Sequence, residues 1–249
     1  MSQRIRFYGL SYSPWTERAR WAFDHHRIPH QYHEHTPVVG ELRLRSLSKG
    51  TGQKRATVPL VQTASKILGD SLEIMRYADE VGTGQALIRE GVDAAGWATK
   101  LEPILQRVRM RVSRRTLADP AALEEAASSL APKPIAKWLK PVAVIGIRHL
   151  ARKYDFNLRA EDSDYALIKE ALEELREQLG DKTYLYESFS AADILAATFL
   201  QVVRPPQQRY ISLSPALFRT WEYPELAEQY ADLLSWRDAL YHKHRTPSA

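Results

Sequence analysis

The 249-residue chain contains no cysteine, which excludes a disulfide framework, a thiolate nucleophile, a Cys-x-x-Cys redox pair and the usual structural zinc sites. Any thiol chemistry it performs needs a thiol brought by a ligand. Long apolar runs are missing as well: Pro141 to Ile147 falls well short of a membrane span. Charge of one sign is scarce, since 35 Lys and Arg stand against 30 Asp and Glu for a net charge of +5. That balance favours anionic small molecules or weak attraction to polyanions over a dedicated nucleic-acid binder. The stretch Met1-Ser2-Gln3-Arg4-Ile5 lacks the apolar core of a signal peptide and passes directly into a strand pattern, so a cytoplasmic protein is expected.

What is present suits an ordinary globular protein, 44% hydrophobic and 26% charged, of a length that fits two modest domains. Ile5 and Phe7 alternate with Arg6 and Tyr8 as in a half-buried strand, and Pro14 suits the first turn of the helix that follows. Ile28-Pro29 stops that helix. Further strands are predicted at Gln31–Glu34, Leu60–Gln62 and Lys66–Leu68, with helices at Glu41–Leu47 and Ser71–Val81, giving the order β-α-β-α-β-β-α. Val81-Gly82-Thr83-Gly84-Gln85 reads as a helix stop and linker, which places the boundary between residues 1–84 and 85–249. Beyond it the periodicity is helical: Ala94–Leu117, Ala121–Leu130, Ile135–Lys153, Tyr165–Leu179, Ala191–Val203 and Glu225–His242. Lys133-Pro134 and Lys140-Pro141 are expected to bend or interrupt the middle helices.

Three short signals stand in the first half. Ser13, followed by Pro14-Trp15-Thr16-Glu17-Arg18-Ala19-Arg20-Trp21, aims a hydroxyl at the free amides of a helix N-terminus, a place suited to holding an anion. In Thr57-Val58-Pro59-Leu60 a proline enters a strand without a ladder donor; were its peptide bond cis, the Val58 backbone would turn outward, able to pair with a bound peptide. Asp70-Ser71 precedes the amphipathic run Leu72, Ile74, Met75, Ala78. Either residue caps that helix, and the same groups can take a ligand's carboxylate and ammonium.

Together and in this order, these signals resemble those of the cytosolic glutathione transferases, and the likeness covers nearly the whole chain. The Ser13–Arg20 segment is most similar to the omega class, where a cysteine stands at the place of Ser13, while a serine there is similar to the tau, zeta and theta-like classes. The resemblance implies a thioredoxin-like α/β domain followed by an all-helical domain carrying an electrophile pocket. It also implies glutathione as co-substrate, no metal and a homodimer. By resemblance Ser13 activates the glutathione sulfur, the Val58 backbone beside a cis Pro59 holds the cysteinyl unit, and Asp70 and Ser71 hold the γ-glutamyl end. Ser11 is a second possible hydroxyl. The family often has Lys where this chain has Thr57, which leaves Arg43, Arg45, Lys54 and Arg55 as candidate cations for the glycine carboxylate. Tyr12 and Trp15 are placed at the electrophile pocket.

In the second half Ser190-Ala191-Ala192-Asp193 is a capping box, with Phe189 and Ile194 as its hydrophobic staple, similar to a folding element of the family. Arg107, Arg111 and Arg115, with Arg114 adjacent, form a basic stripe at helical spacing. A solvated face explains such a stripe; in the resembling fold it also borders the electrophile pocket, where Arg107 and Arg111 would select acidic substrates, or a dimer interface, where the stripe would pair across subunits. Two other readings stay open: a non-catalytic glutathione- or ligand-binding protein, and a transferase-like module that binds polyanions. His25, His26, His30, His33 and His35 raise metal binding, with solvated histidines the alternative. Trp97, Trp138, Tyr165, Tyr210, Trp221 and Trp236 serve either the core or the pocket.

Overall fold

A computed structural model describes residues 5–37, 40–53, 55–128, 139–158 and 163–247. Strand β1 (Ile5–Gly9) lies beside β2 (His30–Glu34) in parallel, Phe7 opposite Tyr32, and beside β3 (Leu60–Gln62) in antiparallel, Tyr8 opposite Leu60. A two-residue β4 (Ile67–Leu68) completes a sheet of order β2-β1-β3-β4. Successive side chains of β1 leave opposite faces, and this alternation sorts the layers. Phe7 joins Ala19, Phe23, Ile74 and Met75 from α1 (Pro14–His25) and α3 (Ser71–Val81) on one side. Tyr8 joins Leu60 and Leu44 of α2 (Glu41–Ser48) on the other. The expected β-α-β-α-β-β-α order is therefore realised as a thioredoxin-like domain.

The rest is helical: α4 (Ala94–Ala118), α5 (Pro120–Ser128), α6 (Lys140–Tyr154), α7 (Tyr165–Leu179), α8 (Ala191–Phe199), α9 (Pro215–Trp221), α10 (Pro224–Gln229) and α11 (Ala231–His244). Every residue of α8 is buried, and its alanines let α1 and α4 approach closely. The capping box fixes its start. Asp193 accepts from the Ser190 amide and hydroxyl at 2.9 and 2.8 Å, and from the Leu185 amide at 2.8 Å.

Two sequence expectations need correction. The helix read as Ala191–Val203 ends at Phe199 and tightens into a 3₁₀ turn at Leu200–Val202; past the turn the orphan Val202 carbonyl is satisfied by Arg111 at 2.9 Å, while Leu200 accepts from the Val203 and Arg204 amides. The helix read as Glu225–His242 is two helices that meet at Tyr230, preceded by α9, which the sequence reading omitted. Of the two outcomes expected at Lys140-Pro141, a bend or an interruption, the second is found, α6 starting at Lys140, since a proline in the first turn forfeits no intrahelical bond. The expected Ile135 start, the Lys133-Pro134 bend, the Leu130 end and Trp138 lie outside the described residues.

Helix α1 is shared by both parts of the chain. Its Glu17, fully buried, receives Arg245 at 2.8 and 3.1 Å, and its Arg18, equally buried, donates to Thr198 of α8 at 3.2 Å. Nearby, His244 stacks on Phe189 at 3.9 Å, and its Nε2 lies 2.9 Å from the Tyr184 hydroxyl. That hydroxyl accepts from Lys243, so its own proton is available to a neutral imidazole.

Two outcomes follow. Asp193→Ala leaves buried donors without an acceptor and should cost about 3 kcal/mol or more in urea unfolding; a loss under about 1 kcal/mol would remove the box from the stabilising core. Burial, aided by Lys243 and His25, depresses the His244 pKa from 6.5 to about 4. The unfolded state then binds the extra proton between those values, so the stability the neutral ring contributes is full above pH 6.5 and is lost as pH falls towards 4. His244→Gln should flatten the thermal-stability curve across that window, and an unchanged acid limb would contradict the assignment.

Candidate functional site

The loop after β1 brings Ser13 to the N-cap of α1, with extended backbone (φ −84°, ψ 127°) and no hydrogen bond from its side chain to the helix amides. The half-buried hydroxyl instead lines a cavity of about 240 Å³ together with Tyr12, Trp15 and Val58. The Val58-Pro59 peptide is cis. Among the described residues, neither the amide nor the carbonyl of Val58 finds a hydrogen-bond partner. Ser11 is placed differently: its amide and hydroxyl both reach Glu34, at 3.0 and 3.3 Å, and it is not in the cavity wall.

The remaining sequence candidates do not converge on the same wall. Asp70 is exposed at the head of α3, where one carboxylate oxygen accepts from the Leu72 and Glu73 amides at 2.9 and 3.0 Å; Ser71 is buried beside it. Arg43 is engaged with Tyr8, donating to its hydroxyl at 3.1 Å, and Arg45 faces Glu41 at 3.9 Å. Arg55 is exposed, and its charge acts on Tyr154 at the cavity. Lys54 lies outside the described residues.

The arginine stripe does not form a basic face. Arg107 is exposed and donates to Ser163 at 2.8 Å. Arg111 is wholly buried away from the cavity, bonded to the Val202 and Trp221 carbonyls at 2.9 Å each, 3.2 Å from Asp164 and 4.0 Å above the Tyr223 ring. Arg115 is half-buried and donates to the Glu222 carbonyl. The helix presents another row to the cavity: Leu105, Val108, Arg109, Val112, Ser113 and Thr116, spaced three and four apart. Arg109, which sequence reasoning passed over, stands about 200° round the helix from Arg107. The stripe of arginines had the right period and the wrong phase. Across the cavity α6 contributes a second row, including Val142, Gly146, Ile147, Leu150 and Tyr154. Lys153 holds this helix to the first domain through Glu41 of α2 at 2.9 Å.

Burial, reinforced by Glu34, pushes the Tyr12 phenol up to about 12, so it keeps its proton at neutral pH. Among the described residues no group of three or more His, Cys, Asp or Glu side chains is arranged to hold a metal. His33 stacks on Tyr8 and His35 faces Glu41 at 3.8 Å. No described helix is long and apolar enough to cross a membrane.

The arrangement has the fold of the glutathione transferases, a thioredoxin-like domain followed by helices. Residues 7–83 match the family model described as glutathione S-transferase, N-terminal domain. Over the full chain the structure is similar to glutathione transferase GSTFuA2 from Phanerochaete chrysosporium, with a TM-score of 0.63, 14% identity, and coverage of 99% of this chain and 100% of that one. GSTFuA3 from the same organism aligns with a TM-score of 0.56 and 14% identity, covering 98% and 96%. The glutathione S-transferase CsGST63524 of Ceriporiopsis subvermispora, solved in complex with glutathione, aligns with a TM-score of 0.55 and 18% identity, covering 99% and 100%. No curated protein matches the sequence.

The contrast within α4 is open to measurement. Arg111→Met strands Asp164 in the interior and should destabilise the protein by about 3–5 kcal/mol in denaturant titration, whereas Arg107→Ala should change it by less than about 0.5 kcal/mol. Equal effects would refute the placement.

Proposed function

We propose that this protein is a glutathione transferase: residues 1–84 bind glutathione, and the cavity they share with residues 85–249 receives a small, largely apolar electrophile. The observation that carries the reading is the Ser13 hydroxyl, free of capping duty at the head of a twelve-residue helix and open to the cavity beside Val58. A free thiol of ordinary acidity, pKa about 8.5, is only a few per cent ionised at pH 7. A hydroxyl donating to sulfur, next to the positive end of a helix dipole, stabilises thiolate over thiol and lowers that pKa. The thiolate then attacks the electrophile, while Ser13 itself stays unmodified.

The rest of glutathione follows the polar groups at hand. The unpartnered Val58 backbone pairs with the cysteinyl unit in the manner of an added strand. The γ-glutamyl end lies at the head of α3, its ammonium on Asp70, whose carboxylate keeps acceptor capacity beyond its two capping bonds, and its carboxylate on Ser71 and the first-turn amides. Arg55 is the cation best placed for the glycine carboxylate, because it is exposed and near the cavity while Arg43 and Arg45 already have partners. The family's usual assembly makes a homodimer the working oligomeric state.

Ser13→Ala should lower the conjugation rate at pH 6.5 by about 10–100-fold, the worth of one hydrogen bond to a charged group, while glutathione affinity changes little. Because the lost bond favours thiolate, the deficit should shrink as pH rises past about 8.5, where the free thiol ionises unaided. Full activity in the variant at pH 6.5, measured with glutathione and a chloronitrobenzene, would remove Ser13 from the mechanism.

A further inference from the structure

We propose that the second ligand of this site is an apolar molecule carrying one acidic group, and that Arg109 selects it; the proposal rests on the transferase reading and adds the substrate class. The cavity wall supplied by α4 and α6 is built mainly of Leu, Val, Ile and Ala side chains, and Arg109 brings a charge into it. Its guanidinium lies over two rings, 4.3 Å from the Trp15 centroid and 3.8 Å from that of Tyr154. Two aromatic contacts hold the cation at the cavity wall, where its N–H donors can meet a ligand.

That charge has no acidic partner. Among the described residues no carboxylate lies in ion-pair range of Arg109; its side-chain bond is to Gln106 Oε1 at 2.6 Å, a neutral acceptor. The nearby acid, Glu102, is engaged elsewhere, one oxygen accepting from Trp15 Nε1 at 2.8 Å and the other from Gln106. Arg111, two residues on, shows how the same helix treats an arginine meant for structure: it is matched by Asp164 and two carbonyls. Glu102 and Tyr154 act on Arg109 from a distance, but a cation at an apolar cavity with no carboxylate in direct contact remains costly unless an anion completes it. A carboxylate or sulfonate does so in the geometry a guanidinium edge favours, with two parallel hydrogen bonds. Burial lowers the Arg109 pKa, but an arginine stays protonated at neutral pH. The apolar remainder of the ligand then lies along Leu105, Val108 and Val112, in a space larger than the ~150 Å³ that holds a benzene ring.

The test is equilibrium binding of a matched pair, 1-naphthoate and the neutral 1-naphthamide, by calorimetry on the full-length protein. Wild type should bind the acid about 10-fold or more tighter than the amide, as one charge-assisted contact provides. Arg109→Gln should bring the ratio to about 1 with amide affinity unchanged, and Arg109→Lys, which keeps the charge but not the fork, should retain part of the preference. A wild-type ratio near 1, a preference that survives Arg109→Gln, or equal loss of both ligands would overturn the proposal. If Arg109→Gln does not fold, the wild-type ratio and the lysine variant still decide. Neither measurement needs glutathione, so failure of the transferase reading registers separately, as absence of glutathione binding.

Discussion

The site depends on a single constraint: helix α1 is clamped on both flanks. One face packs with α3 on the sheet through Ala19 and Phe23. The other carries two charged residues into the interior, Glu17 to Arg245 and Arg18 to Thr198. Buried charges are costly unless matched, so the Glu17–Arg245 pair requires one angle and one depth, and the Arg18–Thr198 bond adds a second point of attachment. A helix so held cannot roll, and its first turn therefore keeps Ser13 pointed at the cavity while the strand-entry loop keeps Val58 beside it. Position is set at the far end of the chain, by Arg245, for chemistry proposed at its beginning.

Much of this was legible in the sequence wherever the determining forces are local. The Asp70 cap and the apolar spacing of Leu72, Ile74 and Met75 define α3 to the residue, and Ser190 with Asp193 marks the start of α8. The order of Ser13, Val58-Pro59 and Asp70 pointed to the fold, because each punctuates a different junction: Ser13 and Asp70 open α1 and α3, and Val58-Pro59 leads into β3. What escaped was decided by distant groups. Beyond the end of α8 the Val202 carbonyl is satisfied by Arg111 and that of Arg204 by Arg237, side chains from other helices. No pattern near residue 200 announces them.

The arginines of α4 are the clearest case. A period of three and four shows that residues share a face, but it does not say which face meets protein, cavity or water. Arg107, Arg109 and Arg111 have the same side chain within five residues, and they occupy respectively the exterior, the cavity wall and the core. A signal for the phase did exist in the row Leu105, Val108, Val112, which marks the inward side and carries Arg109 with it. Reading the apolar row first and the charges second would have found the residue that the basic stripe concealed.

The cavity is walled by two kinds of material. Its floor comes from the loop after β1, whose geometry is tied to the sheet. Its roof is α6, whose inner row reaches the cavity while Ile145 points to solvent and Lys153 and His149 reach across to Glu41, at 2.9 and 3.9 Å. Because the roof packs on α4 and α5, its inner row can drift in composition over generations without disturbing the floor. The two walls of one cavity are thus free to diversify at different speeds.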